Sequence, residues 1–365
     1  MTAFALYRLP HQQEVTLVEQ TTGNPTEITS LQELNGRQGF VVAPFQTSAE
    51  CPVLLIRPDR VQTFRNYALG IVPLLSENGA AFLPVKCHFT ARKAPLPSCE
   101  RADYASDFAR FHQQLREGRF RKIVLSRCAE QLFDDDADPL QLFGRACEYY
   151  PRLFISLVYT PQSGYWLTAT PEVLLEGQNG RWHTMALAGT MTLEGDDLNG
   201  EGERVQWSDK NIQEQRYVAS YIMDCLTHLA TDIREEGPRT VRAANLVHLR
   251  SDFTFNLLDD ACVGNLISQL HPTPAVCGLP KAETYRFIQE HEHTPRRYYS
   301  GFMGPLHLQS ATHLYVTLRC MQIAEGKYRL YAGGGLLKDS VEEQEWQETE
   351  AKLETMRQCI ATKKM

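Results

Sequence analysis

Three charged positions near the C-terminus fall at helical spacing: Glu345, Glu348 and Lys352. On a helix they share one face, next to an apolar stripe made of Trp346, Thr349, Leu353, Met356 and Ile360. By themselves they describe a solvated acidic face with an ordinary i,i+4 pair between Glu348 and Lys352. Held against a core, the carboxylates become candidate ligands. Glu214 raises the same question, because it precedes Val218, Tyr221 and Cys225 at a spacing that points it along an apolar helix face. A carboxylate there needs a partner, since an unpaired buried charge is costly. Lys210 and Arg216 are candidate partners, and a divalent cation shared with Glu345 or Glu348 is another. Carboxylate oxygens alone suit Mg²⁺, which keeps waters and completes its shell with substrate oxygens.

Lys122 opens the run Lys122-Ile123-Val124-Leu125-Ser126-Arg127. A lysine at a strand end usually snorkels to solvent, whereas a desolvated amine is a base. Glu172 follows a Thr-Pro turn in Ala169-Thr170-Pro171-Glu172-Val173. In solvent it is a turn residue, and in a dry site it is an acid. Arg319 alternates with apolar neighbours, as a buried ion-pair member or a carboxylate clamp. Gly333, Gly334 and Gly335 follow a strand and read as a plain turn or as close backbone approach to an anion. They match neither dinucleotide nor P-loop spacing. His248 reads as a core histidine or a site residue, His291 and His293 as a solvated helix end, and Cys277 as packing.

The elements needed to position these groups can be sketched from periodicity. Residues 3–9, 14–19, 39–43 and 53–57 predict strands, so the first ninety or so residues read as β-rich. A Pro-rich stretch at 94–98 marks a soft boundary between an N-terminal β-rich segment, 1–95, and a core, 96–365. Helices are predicted at 104–118 and 208–233, with a Gly/Asp/Glu-rich loop at 194–203 before the second. Strands are predicted at 121–129, 154–160, 164–169, 173–176, 313–323 and 328–333. The last helix is predicted to start at a capping box of Ser340 and Glu343. The mixture predicts an α+β protein with large antiparallel or mixed sheets.

Composition narrows the function classes. A 365-residue chain with 43% hydrophobic and 22% charged residues reads as globular, with material for a sizeable core. The net charge of −7 argues against a general nucleic-acid or anionic-membrane surface, while leaving room for a local basic pocket. The N-terminus lacks a signal-peptide core, and no apolar run reaches membrane-span length. Ten scattered cysteines without zinc spacing fit reduced thiols, so a cytoplasmic location is expected.

Taken together, the motifs resemble the chorismate-utilising enzymes: the isochorismate, salicylate, anthranilate and aminodeoxychorismate synthases. The matching pieces run in family order from KIVLSR (122–127) through ATPEVLL (169–175), ALAGT (186–190), SDKNIQEQRYV (208–218), HPTPAVCGLPK (271–281), YYSGFMGP (298–305), LRC (318–320) and YAGGG (331–335) to EWQETEAK (345–352). His248, Arg250 and Ser251 add a further match. The resemblance implies the anthranilate synthase component I-like fold, large sheets packed together with helices outside. It also implies Mg²⁺ on Glu214 and Glu348, with Glu345 acting through water. Lys122 is the implied base and Glu172 the implied acid. Substrate contacts carried over are Ala188, Gly189, Thr190, His248, Ala275, Tyr299, Leu318, Arg319, Lys352 and the Gly333–Gly335 backbone.

The branches differ at legible positions. Aminodeoxychorismate synthases carry a lysine nucleophile where this chain has Ala188. Anthranilate synthases, which use ammonia, have a non-basic residue in place of Lys122. The intact Lys122 and Glu172 pair therefore resembles the water-using enzymes, above all isochorismate synthases of the menaquinone type. Salicylate synthase is the alternative, although those enzymes tend to have threonine where this chain has Ala275. A non-catalytic anion-binding member is a further alternative, disfavoured by the intact residues. Two departures stand out: Glu214-Gln215 replaces a common Glu-His or Glu-Asn, and Asn211 replaces a common aspartate. Chorismate is the implied partner, without a glutamine amidotransferase subunit, in a monomer or weak homodimer.

Overall fold

The computed structural model of the chain describes residues 1–65, 101–132, 138–192, 205–243, 246–259, 262–324 and 326–361. Its strands are β1 (Ala3–Arg8), β2 (Glu14–Gln20), β3 (Thr26–Ile28), β4 (Gly39–Ala43), β5 (Val53–Ile56) and β6 (Arg60–Arg65). After the first helix come β7 (Lys122–Leu132), β8 (Phe154–Thr160), β9 (Gly164–Thr170), β10 (Val173–Gln178) and β11 (Arg181–Thr192). Then follow β12 (Ala230–Ala243), β13 (Leu246–Leu257), β14 (Gly278–Leu279), β15 (Phe302–Leu306), β16 (Ala311–Val316), β17 (Cys320–Ala324) and β18 (Lys327–Leu336). The helices are α1 (Arg101–Arg116), α2 (Pro139–Tyr149), α3 (Asp209–Thr227), α4 (Val263–Leu270), α5 (Lys281–His291) and α6 (Glu342–Ile360).

The strands form two nine-stranded sheets, one ordered β14-β7-β18-β17-β9-β8-β1-β2-β6 and the other β12-β13-β11-β10-β16-β15-β4-β5-β3. Their pairings are antiparallel, which confirms the α+β class and rules out a βαβ array. Alternation explains how both faces are buried. Along β1, Ala3, Ala5 and Tyr7 join a core between the sheets, while Phe4 and Leu6 join a core under α2 and α6. The other sheet packs its outer face on α3 and α4. The N-terminal strands extend both sheets, so they share the cores of the later elements. The predicted boundary at 94–98 and the loop at 194–203 fall outside the described residues.

Several expectations are corrected. Helix α3 ends at Thr227, and residues 228–233 belong to a turn and to strand β12 rather than to the helix. Leu229 and Ile233 still pack on the same core, so their apolar spacing did not distinguish helix from strand. The predicted strand 313–323 is two strands in different sheets, β16 and β17. Between them Arg319 takes φ +45°, a left-handed conformation that lets the chain cross from sheet to sheet. Gly333–Gly335 lie inside β18, paired with β7, and form no turn. The capping box is absent: α6 has Val341 at its N-cap without a side-chain cap. Ser340 Oγ instead accepts a 3.0 Å hydrogen bond from the Leu337 amide. Within the C-terminal stripe, Leu353 and Met356 are buried as expected, but Glu345, 1% exposed, is more deeply buried than Trp346.

Candidate active site

A cavity opens where β18, β11 and β13 meet α3, α6 and the 271–280 turn. Its wall contains Glu172, Ala188, Gly189, Thr190, Glu214, His248, Ala275, Tyr299, Leu318, Arg319, Gly333, Gly335, Glu348 and Lys352. Lys122, Gly334 and Glu345 stand immediately behind that wall. Val124, Pro171, Leu187, Val276, Tyr331 and Ala332 also line it, and were not singled out from the sequence. They are apolar or aromatic neighbours of residues that were, and only the Pro171 turn carried a local signal. A larger groove elsewhere, with Arg121, Arg216 and Tyr217, lies along the outer side of α3 and holds none of the predicted site residues.

The carboxylates are delivered by helix packing. Helix α3 is fixed by Val218, Ile222 and Leu226 in the core and by Gln215 Nε2, which donates to the Ala186 carbonyl at 3.1 Å. That places Glu214 inward, where Lys122 Nζ lies 3.0 Å from its Oε1. Helix α6 is held on β7 by Arg127, whose Nε donates to Thr349 Oγ1 at 2.7 Å and whose guanidinium covers Trp346 at 3.7 Å. Glu348 and Lys352 pair at 2.6 Å, and Lys352 also donates to the Gly333 carbonyl at 2.9 Å. Glu345 is bonded to Lys210, which the sequence had offered as a partner for Glu214.

The glycines make room for this charge. A Cβ on Gly335 would fall 2.1 Å from Glu214 Oε1 and 2.8 Å from Lys122 Cε. A Cβ on Gly334 would fall 3.2 Å from Glu345 Oε2 and 3.6 Å from Glu348 Oε1. Only a bare strand lets three carboxylates approach its backbone so closely. Glu345 Oε2 is buried without a well-formed hydrogen bond among the described residues. An all-oxygen set fits a hard cation in its chemistry. As the side chains stand, no three candidate ligands among the described residues are grouped tightly enough to hold one, because each carboxylate is engaged by its own lysine.

Protonation separates the two ends of the cavity. Burial pushes Glu172 up to about 8, against the opposing pull of Lys122, Lys352 and Arg319. Glu214 is desolvated too, but Lys122 and Lys210 outweigh burial and hold it below the usual carboxylate range. Burial, Arg319 and Lys352 keep His248 well below its ordinary value, hence neutral. Its Nδ1 lies 3.1 Å from the Gly189 carbonyl and its Nε2 lies 2.9 Å from Arg319 Nη2. Both contacts fit the tautomer with the proton on Nδ1, donating to Gly189 and accepting from Arg319. Arg319 Nη1 remains buried without a hydrogen-bond partner among the described residues. The wall thus offers an acid, a paired lysine, a carboxylate set and a guanidinium with an unused donor. Away from it, Cys277 is buried, as its plain reading had it, whereas the 290–293 stretch is no simple solvated helix end: His293 is held by Asp107 at 2.6 Å and the Glu292 side chain is buried against Arg296.

The model of the family described as "Chorismate binding enzyme" matches residues 83–361. The chain belongs to the chorismate-binding enzyme family. Isochorismate synthase MenF of Escherichia coli K12 is 30% identical over 250 residues, covering 67% of this chain and 57% of the relative. The match therefore spans less than two thirds of that relative's length. In three dimensions, the crystal structure of a protein titled putative 2,3-dihydroxybenzoate-specific isochorismate synthase, DhbC, from Bacillus anthracis superposes with a TM-score of 0.80. It is 22% identical and covers 98% of this chain and 96% of its own. Anthranilate synthase component I from Streptococcus pneumoniae superposes with a TM-score of 0.69 at 16% identity, covering 98% and 92%. These likenesses establish the shared fold.

Proposed function

We propose that the protein is an isochorismate synthase, interconverting chorismate and isochorismate with Mg²⁺. The observation that carries this reading is Glu172, a carboxyl 3% exposed with its pKa raised to about 8, on the wall of the cavity that Glu214 also lines, with Lys122 behind that wall and paired to Glu214. A group that stays protonated near neutral pH can give a proton to a departing hydroxyl. Glu172 donates to the C4 hydroxyl of chorismate, which leaves as water. Lys122 accepts a proton from the water that adds at C2. One water enters and one leaves, so atoms balance, and reversal requires the same two groups in exchanged roles. For Lys122 to act, its contact with Glu214 must open and the ammonium must first give up its proton, so that the neutral amine has a lone pair to receive one. Arg319, with one donor free, pairs with the side-chain carboxylate of the substrate, and Lys352 and the β18 backbone support it.

Glu214 and Glu348 would hold Mg²⁺ directly, with Glu345 through water, and the ion when bound supplies a Lewis acid at the ring carboxylate. Ala188 leaves no lysine nucleophile at its position, which supports water as the attacking group. Ala275 on the cavity wall supports stopping at isochorismate. The setting is a cytoplasmic pathway that draws on isochorismate for menaquinone or a siderophore, with no amidotransferase subunit. No helix among the described residues is long and apolar enough to cross a membrane.

The test is incubation of the protein with chorismate and Mg²⁺, with a chelator control and chromatographic resolution of products. The expected result is a chorismate–isochorismate mixture reached from either side, without pyruvate. Salicylate with stoichiometric pyruvate would assign the lyase reaction, and absence of turnover would overturn the catalytic reading.

A further inference from the structure

The ammonium of Lys210 occupies a place where a cation is wanted. Lys210 lies in the first turn of α3, and its Nζ is hydrogen-bonded to Glu345 Oε1, a carboxylate 1% exposed. The other oxygen of that carboxylate is buried without a well-formed hydrogen bond among the described residues and faces Gly334 together with Glu348 Oε1. Each of the three carboxylates is already matched by one lysine, so the set is neutral as it stands.

We infer that Lys210 is an internal competitor for the divalent cation, and that its ammonium must leave Glu345 before the ion can be held there. The inference rests on the metal reading of the proposed function, and it assigns a role to a residue outside the ligand set. Two like charges cannot share one buried carboxylate without mutual repulsion. The affinity for a divalent ion is therefore set as much by the strength of the Lys210–Glu345 contact as by the ligands. A built-in cation also spares Glu345 from standing as an unpaired buried charge when no metal is bound. Lys210 is 28% exposed at its side chain and sits at a helix start, so it has a route to solvent once displaced.

The experiment is direct ion binding, without substrate, on chelator-treated protein. Mn²⁺ is titrated and followed by electron paramagnetic resonance, and Mg²⁺ is titrated by calorimetry. Lys210→Met keeps the length of the side chain and removes the charge. It is expected to tighten ion binding at least tenfold over wild type. Lys210→Gln should move the same way, Lys210→Arg should stay near wild type, and a Glu345→Gln background should abolish the gain. Thermal unfolding of each variant confirms that it is folded. Wild-type binding with equal or weaker binding in both neutral variants overturns the inference and leaves the metal reading intact. Failure of wild type and both neutral variants to bind either ion overturns the inference and the metal reading together.

Discussion

Glu172 and Glu214 line one cavity and are nearly equally hidden, 3% and 8% exposed, yet their protonation is driven in opposite directions. Glu172 follows the turn between β9 and β10, and its backbone carbonyl anchors β16 by accepting from the Val316 amide at 2.9 Å. No ion pair is formed by its side chain among the described residues, so desolvation dominates. Glu214 comes from a helix and meets Lys122 at 3.0 Å, so a partner dominates. The pair teaches that burial alone does not make an acid. The cavity keeps a proton at one end and a charge-balanced set of carboxylates at the other, and the difference lies in where lysines were placed.

The sharpest break of that contrast removes one partner at each end. Glu172→Gln should lower kcat by about 10²–10⁴-fold, the usual contribution of a general acid, with chorismate binding retained. Lys122→Met should lower kcat by a similar factor, and should also strand Glu214 in the interior. The cost in stability is expected to be about 3–5 kcal/mol, read by denaturant unfolding. Turnover unaffected in either variant would remove that residue from the chemistry.

A smaller effect is expected from Gly335→Ala, which leaves every charged group in place. Its methyl would fall 2.1 Å from Glu214 Oε1, so the carboxylate or the strand must shift. Overpacking of this kind costs about 1–3 kcal/mol. Activity should fall while Glu172 keeps its raised pKa, because the strain is confined to the Glu214 end. Equal disturbance at Glu172 would mean that the two ends are not separable.

An effect of similar size, and the most specific, is in stability against pH. Glu172 is raised on folding, so the folded state binds a proton that the unfolded state releases. Its contribution is therefore most favourable in acid and declines as pH rises from the ordinary carboxylate value to about 8. Glu172→Gln should accordingly stabilise the protein near neutrality, on the order of 1–3 kcal/mol, with the gain growing across that window. A stability difference independent of pH would contradict the raised value.

What the sequence disclosed follows the same division. Lys122 at a strand start, Glu172 behind a Thr-Pro turn and the Glu345, Glu348, Lys352 spacing were legible because their signals are local. The ordered motifs then supplied the fold and brought most of the remaining candidate residues to one cavity wall. Arg319 reads from the sequence as a buried ion-pair member or a carboxylate clamp, but its strand break could not be foreseen, since Thr317-Leu318-Arg319 contains no glycine or proline to announce a crossing. The β12–β13 hairpin escaped because its charged outer strand lacks alternation. The Lys210–Glu345 contact joins residues 135 positions apart, and no spacing rule reaches that far. Partners chosen by tertiary packing decide the protonation states, and these became visible only in three dimensions.

The central claim, that the cavity holds one protonated carboxyl opposite carboxylates paired with lysines, can be measured on the enzyme itself. Infrared difference spectra between wild type and Glu172→Gln, recorded from pH 5 to 10, isolate the carboxyl band of that residue. The account predicts a protonated carboxyl at pH 7 that ionises with a midpoint near 8, coinciding with the fall of kcat. A carboxylate already ionised at pH 7, with kcat unchanged through pH 8, would contradict it.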